Sequence, residues 1–329
     1  HLEVRGMTIS CQTWGREWGT DGFGAELDRL QGLGVNWVSI HPYASIGADG
    51  SVRYREIDPE DPPTWLARPI REAHERGMSI FIKPHLAYWG SPFSWRGAIQ
   101  FEDKAKRERF FAEYSTWITQ VAAATHEADA FAIGTELEGM IEADDTVAAM
   151  RALTKRVREV TNAHLTYAAN WTEYPRVRFW DELDVIGVQA YFPLSEEEDP
   201  EEEALRRGWQ RVLADLRQLS EKTGKPVVFT ELGYDSTADA AVRPWEGGSR
   251  RGAGEAALAL QERCTRVALQ VLKEERDWLR GSFLWKWFVG SARRADFKLD
   301  TPRMRAVLAE SWLTEEAEPQ EDVAPQKDG

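Results

Sequence analysis

Short apolar runs alternate with stretches of helical periodicity along this chain, and they do so eight times. The runs are Gly6 to Cys11, Val35 to Ile40, Met78 to Lys83, Ala130 to Gly134, Leu165 to Ala169, Val185 to Gln189, Val227 to Thr230 and Ser282 to Trp285. The seventh is typical: it is too short for a helix and lacks polar alternation, so it reads as a strand covered on both faces. Between the runs lie Phe23 to Leu33, Trp65 to Arg76, Lys104 to His126, Thr146 to Thr161, Glu202 to Thr223 and Gly254 to Arg280. Such alternation implies a parallel sheet with right-handed crossovers. Eight units in 329 residues predict an α/β fold, a single (β/α)8 TIM barrel. Gly34, Gly77 and Gly224 each precede a strand, where a helix C-terminus needs a left-handed residue. One unit is weak, because between the fifth and sixth strands only Phe179 to Leu183 is a helical candidate. Thr301-Pro302 opens a last helix through Leu313, with Pro in the first turn, where its missing N–H costs nothing.

No internal boundary interrupts the pattern, so one domain is expected over residues 1–314. Residues 315–329 are acidic, Pro-containing and almost free of large apolar side chains, and read as a disordered tail. A net charge of −14 would repel phosphates, which argues against nucleic acid or an anionic membrane as partner and suits a neutral ligand. No apolar run approaches the roughly 18 residues of a membrane span. Cys11 and Cys264 lie far apart, and His41, His74, His126 and His164 have no ligand-like spacing, so no disulfide or metal site is expected. The chain opens on His1 rather than Met and reads as a processed or trimmed product, either exported with its signal removed or cytoplasmic. A monomer is expected.

Two strand ends carry the chemistry. The run before Glu231 delivers that carboxylate to the C-terminal end of strand seven, where parallel-sheet folds place ligand sites. Strand four ends FAIGTELEG, which puts Glu136 in the equivalent place. Two carboxylates at one barrel mouth suit glycoside hydrolysis, which needs one acid to protonate the leaving oxygen and one carboxylate on the other face of the sugar. Such a hydrolytic mechanism needs no cofactor. Glu138 competes with Glu136 for the acid role; Glu136 is preferred because Glu138 falls where the loop has begun. Around them stand groups suited to a sugar. Tyr191 after strand six can hydrogen-bond Glu231. Trp285 and Trp287 share one side of strand eight at period two. Strand five offers the amide of Asn170 and the face of Trp171. His85 follows strand three, although Lys83 and His85 are not expected to face inward alike across Pro84. Trp14 and Trp89 stand in loops after strands one and three, where exposed aromatic rings suit stacking on sugar faces. Fifteen tryptophans in all are a surplus for a chain of this length.

With GTELEG and VVFTELGY in place, the chain resembles clan A of the retaining glycoside hydrolases, and within it family 113, the β-mannanases. The similarity runs over about residues 5 to 313. By that resemblance Glu136 matches the acid/base and Glu231 the nucleophile, one strand-eight tryptophan floors the cleavage site, and the substrate is a β-linked oligo- or polysaccharide, most simply β-1,4-mannan. Many clan members have Asn before the acid/base; Thr135 stands there, a shorter donor toward the sugar 2-hydroxyl. The motifs see the anomeric carbon and not the other hydroxyls, which leaves another clan A β-glycanase, an exo-β-mannosidase or a non-catalytic polysaccharide-binding barrel as alternatives.

Overall fold

The computed structural model describes residues 3–249, 253–292 and 295–313. The tail expected over residues 315–329 lies outside the described residues. Eleven strands and seven α-helices occur among those described. They are β1 (Val4–Ser10), α1 (Asp21–Gln31), β2 (Trp37–Ile40), β3 (Tyr43–Ile46), β4 (Val52–Arg53), α2 (Thr64–Glu75), β5 (Ser79–Ile82), β6 (His85–Ala87) and α3 (Lys104–Ala124). After them come β7 (Ala130–Thr135), α4 (Asp144–Val160), β8 (His164–Asn170), β9 (Ile186–Gln189), α5 (Glu202–Thr223), β10 (Val227–Leu232), α6 (Glu255–Glu274), β11 (Leu279–Phe288) and α7 (Pro302–Leu313).

β1, β2, β5, β7, β8, β9, β10 and β11 pair in that order, all parallel, and β11 closes onto β1. The result is the single (β/α)8 barrel that the alternation predicts. The weak unit is real: between β8 and β9 the chain makes only 3₁₀ turns, at Tyr174–Arg176 and Trp180–Glu182. The helices begin and end for local reasons. Asp103 caps α3 by accepting from Lys106 N–H at 2.9 Å. Glu202 and Glu203 sit in the first turn of α5, where acids complement the helix dipole. Gly34, Gly77 and Gly224 have φ of +86°, +67° and +67°, the left-handed conformation expected of them.

The core lies in two places. Most of it fills the space between strands and helices, with Trp117 of α3, Trp209 of α5 and Phe229 of β10 among its largest members. A smaller cluster, Trp37, Phe81, Ala132, Val228 and Phe283, plugs the N-terminal half of the barrel, with Phe283 against Trp37 and Phe81 at ring distances of 6.0 and 5.0 Å. Above this plug the interior turns polar, toward the C-terminal mouth.

A second sheet, unexpected from the sequence, sits on that mouth. β3 pairs antiparallel with β4 and parallel with β6, setting Tyr43 beside His85. Its origin is Pro84, which ends the pairing of β5 and lets the chain restart in a new direction. Strand alternation therefore does not carry across Pro84, and Lys83 and His85 both turn inward, contrary to the expectation that they would not.

Candidate active site

Three barrel strands slip register by one residue near their C-terminal ends. The slips fall between Phe229 and Glu231 in β10, between Ala132 and Thr135 in β7, and between Leu284 and Trp287 in β11. An extra residue of this kind re-aims the side chains beyond it. Phe229 packs outward on Trp209, so regular alternation would send Glu231 outward as well; the slip instead turns it into the mouth. Glu136 takes φ of +52°, a conformation costing a non-glycine residue roughly 1–2 kcal/mol, and its N–H is held by Ala168 C=O at 3.0 Å. Gly233, just past β10, leaves room for the Trp285 carbonyl, which would stand 2.6 Å from a Cβ there.

Together these elements shape a cleft of about 900 Å³ lined by both Glu136 and Glu231. Glu231 is 4% exposed. Its Oε1 accepts from the Lys83 ammonium, and its Oε2 accepts from the Tyr191 hydroxyl at 2.7 Å. Lys83 also donates to Gln189 Oε1 and the Thr230 carbonyl, at 3.0 and 3.1 Å. Burial pushes the Lys83 pKa down and Glu231 opposes that shift; burial and then Glu231 hold the Tyr191 phenol well above its usual range, so Tyr191 stays a donor.

Glu136 Oε2 accepts from Arg96 Nη1 at 2.7 Å. Burial works against the Arg96 charge, but Glu136 outweighs it and the net shift is upward. Arg96 Nη2 donates to His85 Nδ1 at 3.1 Å, which leaves the proton of a neutral imidazole on Nε2. His85 is neutral, because burial, Arg96 and Lys83 hold its pKa well below the ordinary value. Its Nε2 stands 3.7 Å from Glu231 Oε1 and has no hydrogen-bond partner among the described residues. Arg96 and His85 thus join the two carboxylates, and a buried N–H donor without a partner among the described residues stands beside Glu231.

Trp285 lies under this centre. Its ring stacks on His85 at 6.3 Å, with Lys83 and Lys286 Nζ at 5.6 and 4.9 Å from its centroid, and the Trp285–Lys286 peptide bond is cis. On one side of the mouth, after the first three barrel strands, Trp14 meets Tyr43 and Trp89 edge to face at 5.7 and 6.1 Å. On the opposite side Trp171 and Trp245 stack at 5.4 Å. Trp14, Trp89, Trp95 and Trp245 are exposed, and all four line the cleft.

Two expectations fail. Trp287 does not share the cleft with Trp285: it is fully buried and donates Nε1–H to Glu26 Oε2 of α1 at 2.8 Å, because the slip in β11 breaks the period of two. Thr135 gives its hydroxyl to the Pro84 carbonyl at 3.0 Å and does not line the cleft. Asn170 does line it, but its amide donates to Glu138 Oε2 at 2.9 Å and to Thr172 Oγ1 at 3.0 Å. Glu138 is further held by Thr172 and Arg176. The residues missed by sequence reasoning are Arg96, Tyr43, Lys286, Gln189 and Trp245. Trp95-Arg96-Gly97 carried a hint, as an aromatic and a cation in a Gly/Pro/Ser loop. Gln189 and Tyr43 carried none, since Gln189 ends an apolar run and Tyr43 follows one just past His41-Pro42.

A closed parallel barrel with two cation-paired glutamates at its C-terminal mouth, in a cleft walled by tryptophan, belongs to the carbohydrate-cleaving barrels. The chain belongs to glycoside hydrolase family 113, whose model matches residues 7–301, and it is a glycoside hydrolase. Among solved structures it is similar to the family 113 β-mannanase AaManA from Alicyclobacillus acidocaldarius, with 24% identity, 95% of this chain and 98% of that chain covered, and a TM-score of 0.79. A second family 113 β-1,4-mannanase matches at 20% identity over 95% and 100% of the two chains, with a TM-score of 0.78. A β-glucuronidase from Ruminococcus gnavus matches at 12% identity and a TM-score of 0.63, this chain covering half of it. No curated protein sequence matches. No helix among the described residues is long and apolar enough to cross a membrane.

Proposed function

We propose that this chain is a retaining endo-β-1,4-mannanase acting as a monomer, with Glu231 as nucleophile and Glu136 as acid/base. The observation that carries the reading is the unequal setting of the two carboxylates. Glu231 is buried and held from both oxygens by Lys83 and Tyr191, an arrangement that aims a nucleophile and sets a cation beside it. Glu136 stands at the end of β7 on a single guanidinium contact. Glu138, with three side-chain donors upon it, is tied to the loop after β8 and is the weaker candidate.

Glu231 attacks the anomeric carbon while Glu136 gives its proton to the departing glycosidic oxygen. The C–O bond breaks and a glycosyl ester forms on Glu231. Glu136, now a carboxylate, takes a proton from water, whose oxygen attacks the same carbon and releases Glu231, so configuration is retained. His85 lines the cleft beside Glu231, and Trp285 stacks beneath the sugar above it. Trp14 and Trp89 on one side and Trp171 with Trp245 on the other carry the chain beyond it. Aromatic faces on both sides support internal cleavage, since an exo-acting site closes at one end. Asn170 acts through Glu138. The preference for mannose is supported by the family 113 structures, which are β-mannanases.

Glu231→Ala should abolish turnover of manno-oligosaccharides and of dinitrophenyl β-mannoside alike. Glu136→Ala should lose the oligosaccharide by roughly 10²-fold or more while still releasing dinitrophenolate in a burst, because that leaving group needs no proton. Near-normal activity of both variants on both substrates would remove the assignment.

A further inference from the structure

Glu173 is fully buried, and none of the described cations forms an ion pair with it. Its Oε1 accepts from the Tyr167 hydroxyl at 2.5 Å and its Oε2 from Asn170 N–H at 2.9 Å. The Tyr167 oxygen in turn accepts from Leu137 N–H at 2.7 Å. That N–H belongs to the peptide that follows left-handed Glu136. Tyr167 is also fully buried, and it packs so closely on β7 that a Cβ on Gly134 would stand 2.9 Å from its ring. Neither Tyr167 nor Glu173 lines the cleft.

A buried carboxyl without a cation is a costly choice for a fold, and a packed apolar side chain of the same volume would cost less. The structure shows what the carboxyl is used for. Leu137 N–H has left the β7 ladder because of the turn at Glu136, and it would otherwise be an unsatisfied buried donor. Tyr167 satisfies it, and Glu173 fixes the Tyr167 hydroxyl so that its oxygen faces Leu137. The second oxygen of Glu173 holds Asn170 N–H at the end of β8, and the Asn170 side chain reaches Glu138. One carboxyl therefore ties the C-terminal flank of the Glu136 turn to β8 at two points, Leu137 and Glu138.

We propose that Tyr167 and Glu173 are positioning residues for the acid/base, locking the left-handed turn that aims the Glu136 carboxyl at the departing oxygen. This rests on the assignment of Glu136 as the proton donor. A loosened turn misplaces the donor, and misplacement matters only where the leaving group needs a proton.

The test is the leaving-group dependence of two variants, Tyr167→Phe, which removes only the hydroxyl, and Glu173→Gln, which keeps the volume. Each should lower kcat/KM for mannotetraose by about tenfold or more while the initial burst from dinitrophenyl β-mannoside stays within about twofold of wild type. The double variant should be no worse than the poorer single one, because the two residues act through the same peptide. Equal losses on the two substrates would make these residues merely structural and overturn the proposal, as would no loss on either. Glu136→Ala is the parallel control: if it keeps near-normal activity on mannotetraose, the assignment of Glu136 as the proton donor has failed, and not the positioning role alone.

Discussion

Burial sets the charge of several side chains beneath the cleft, and their titration shapes stability. Burial pushes the Glu173 carboxyl up to about 8, against the pull of Tyr167 and Asn170 N–H; Glu136 and Glu138 push the same way as burial, and Arg176 is the nearby cation. Burial, with Lys83 and Arg96 nearby, holds His41 and His85 well below their ordinary 6.5. Between pH 4.5 and 6.5 the unfolded chain binds a proton on each histidine and the folded chain binds one on Glu173. The unfolded state then holds one proton more, and stability rises with pH by about 1.4 kcal/mol per unit from these three groups. From 6.5 to about 8 only folded Glu173 keeps a proton that the unfolded chain has lost, and stability falls at a similar slope. The three groups together therefore place a maximum near pH 6.5. Urea midpoints from pH 5 to 8.5 should show it, and Glu173→Gln should remove the decline on the alkaline side. An unchanged decline in that variant would assign it to other groups.

At the scale of elements, the bends at the ends of β7, β10 and β11 matter more than the strands themselves. The slip in β11 separates two tryptophans that share a face in a regular strand. Trp287 locks β11 to α1, so Trp287→Ala should destabilise by about 3–5 kcal/mol in denaturant unfolding. Trp285→Ala should leave stability nearer to wild type and raise KM for oligosaccharides. A reversal of that ranking would contradict the placement of the two rings. The same slips mark the limit of what was legible in the sequence. The alternation of apolar runs and helices foretold all eight barrel strands, the weak connection between the fifth and sixth, and the helix-ending glycines, because these depend on local periodicity and backbone preference. It placed Glu136 and Glu231 at strand ends, and it foresaw the Tyr191 contact to Glu231. It could not see a one-residue slip, which leaves no compositional trace, and so it misplaced Trp287. It also failed at Pro84, where Lys83 and His85 both turn inward, and at Arg96, which reaches the centre from a loop with no period of its own.

The whole molecule separates two kinds of surface. The outside is strongly acidic overall, with a net charge of −14, while in the cleft each carboxylate has its own cation: Lys83 for Glu231, Arg96 for Glu136 and Arg176 for Glu138. Exposed tryptophans stand around that cleft, a placement suited to stacking on sugar rings. A neutral polymer can approach such a surface without repulsion and be held by ring faces on both sides of the bond to be cut. Double displacement at Glu231 is the central step, and it is tested most directly by the anomeric configuration of the first product. Proton NMR during the first minutes of manno-oligosaccharide hydrolysis should show the β-anomer appearing first with wild type, followed by slow mutarotation, and no product with Glu231→Ala. The α-anomer appearing first, or undiminished product from Glu231→Ala, would contradict it.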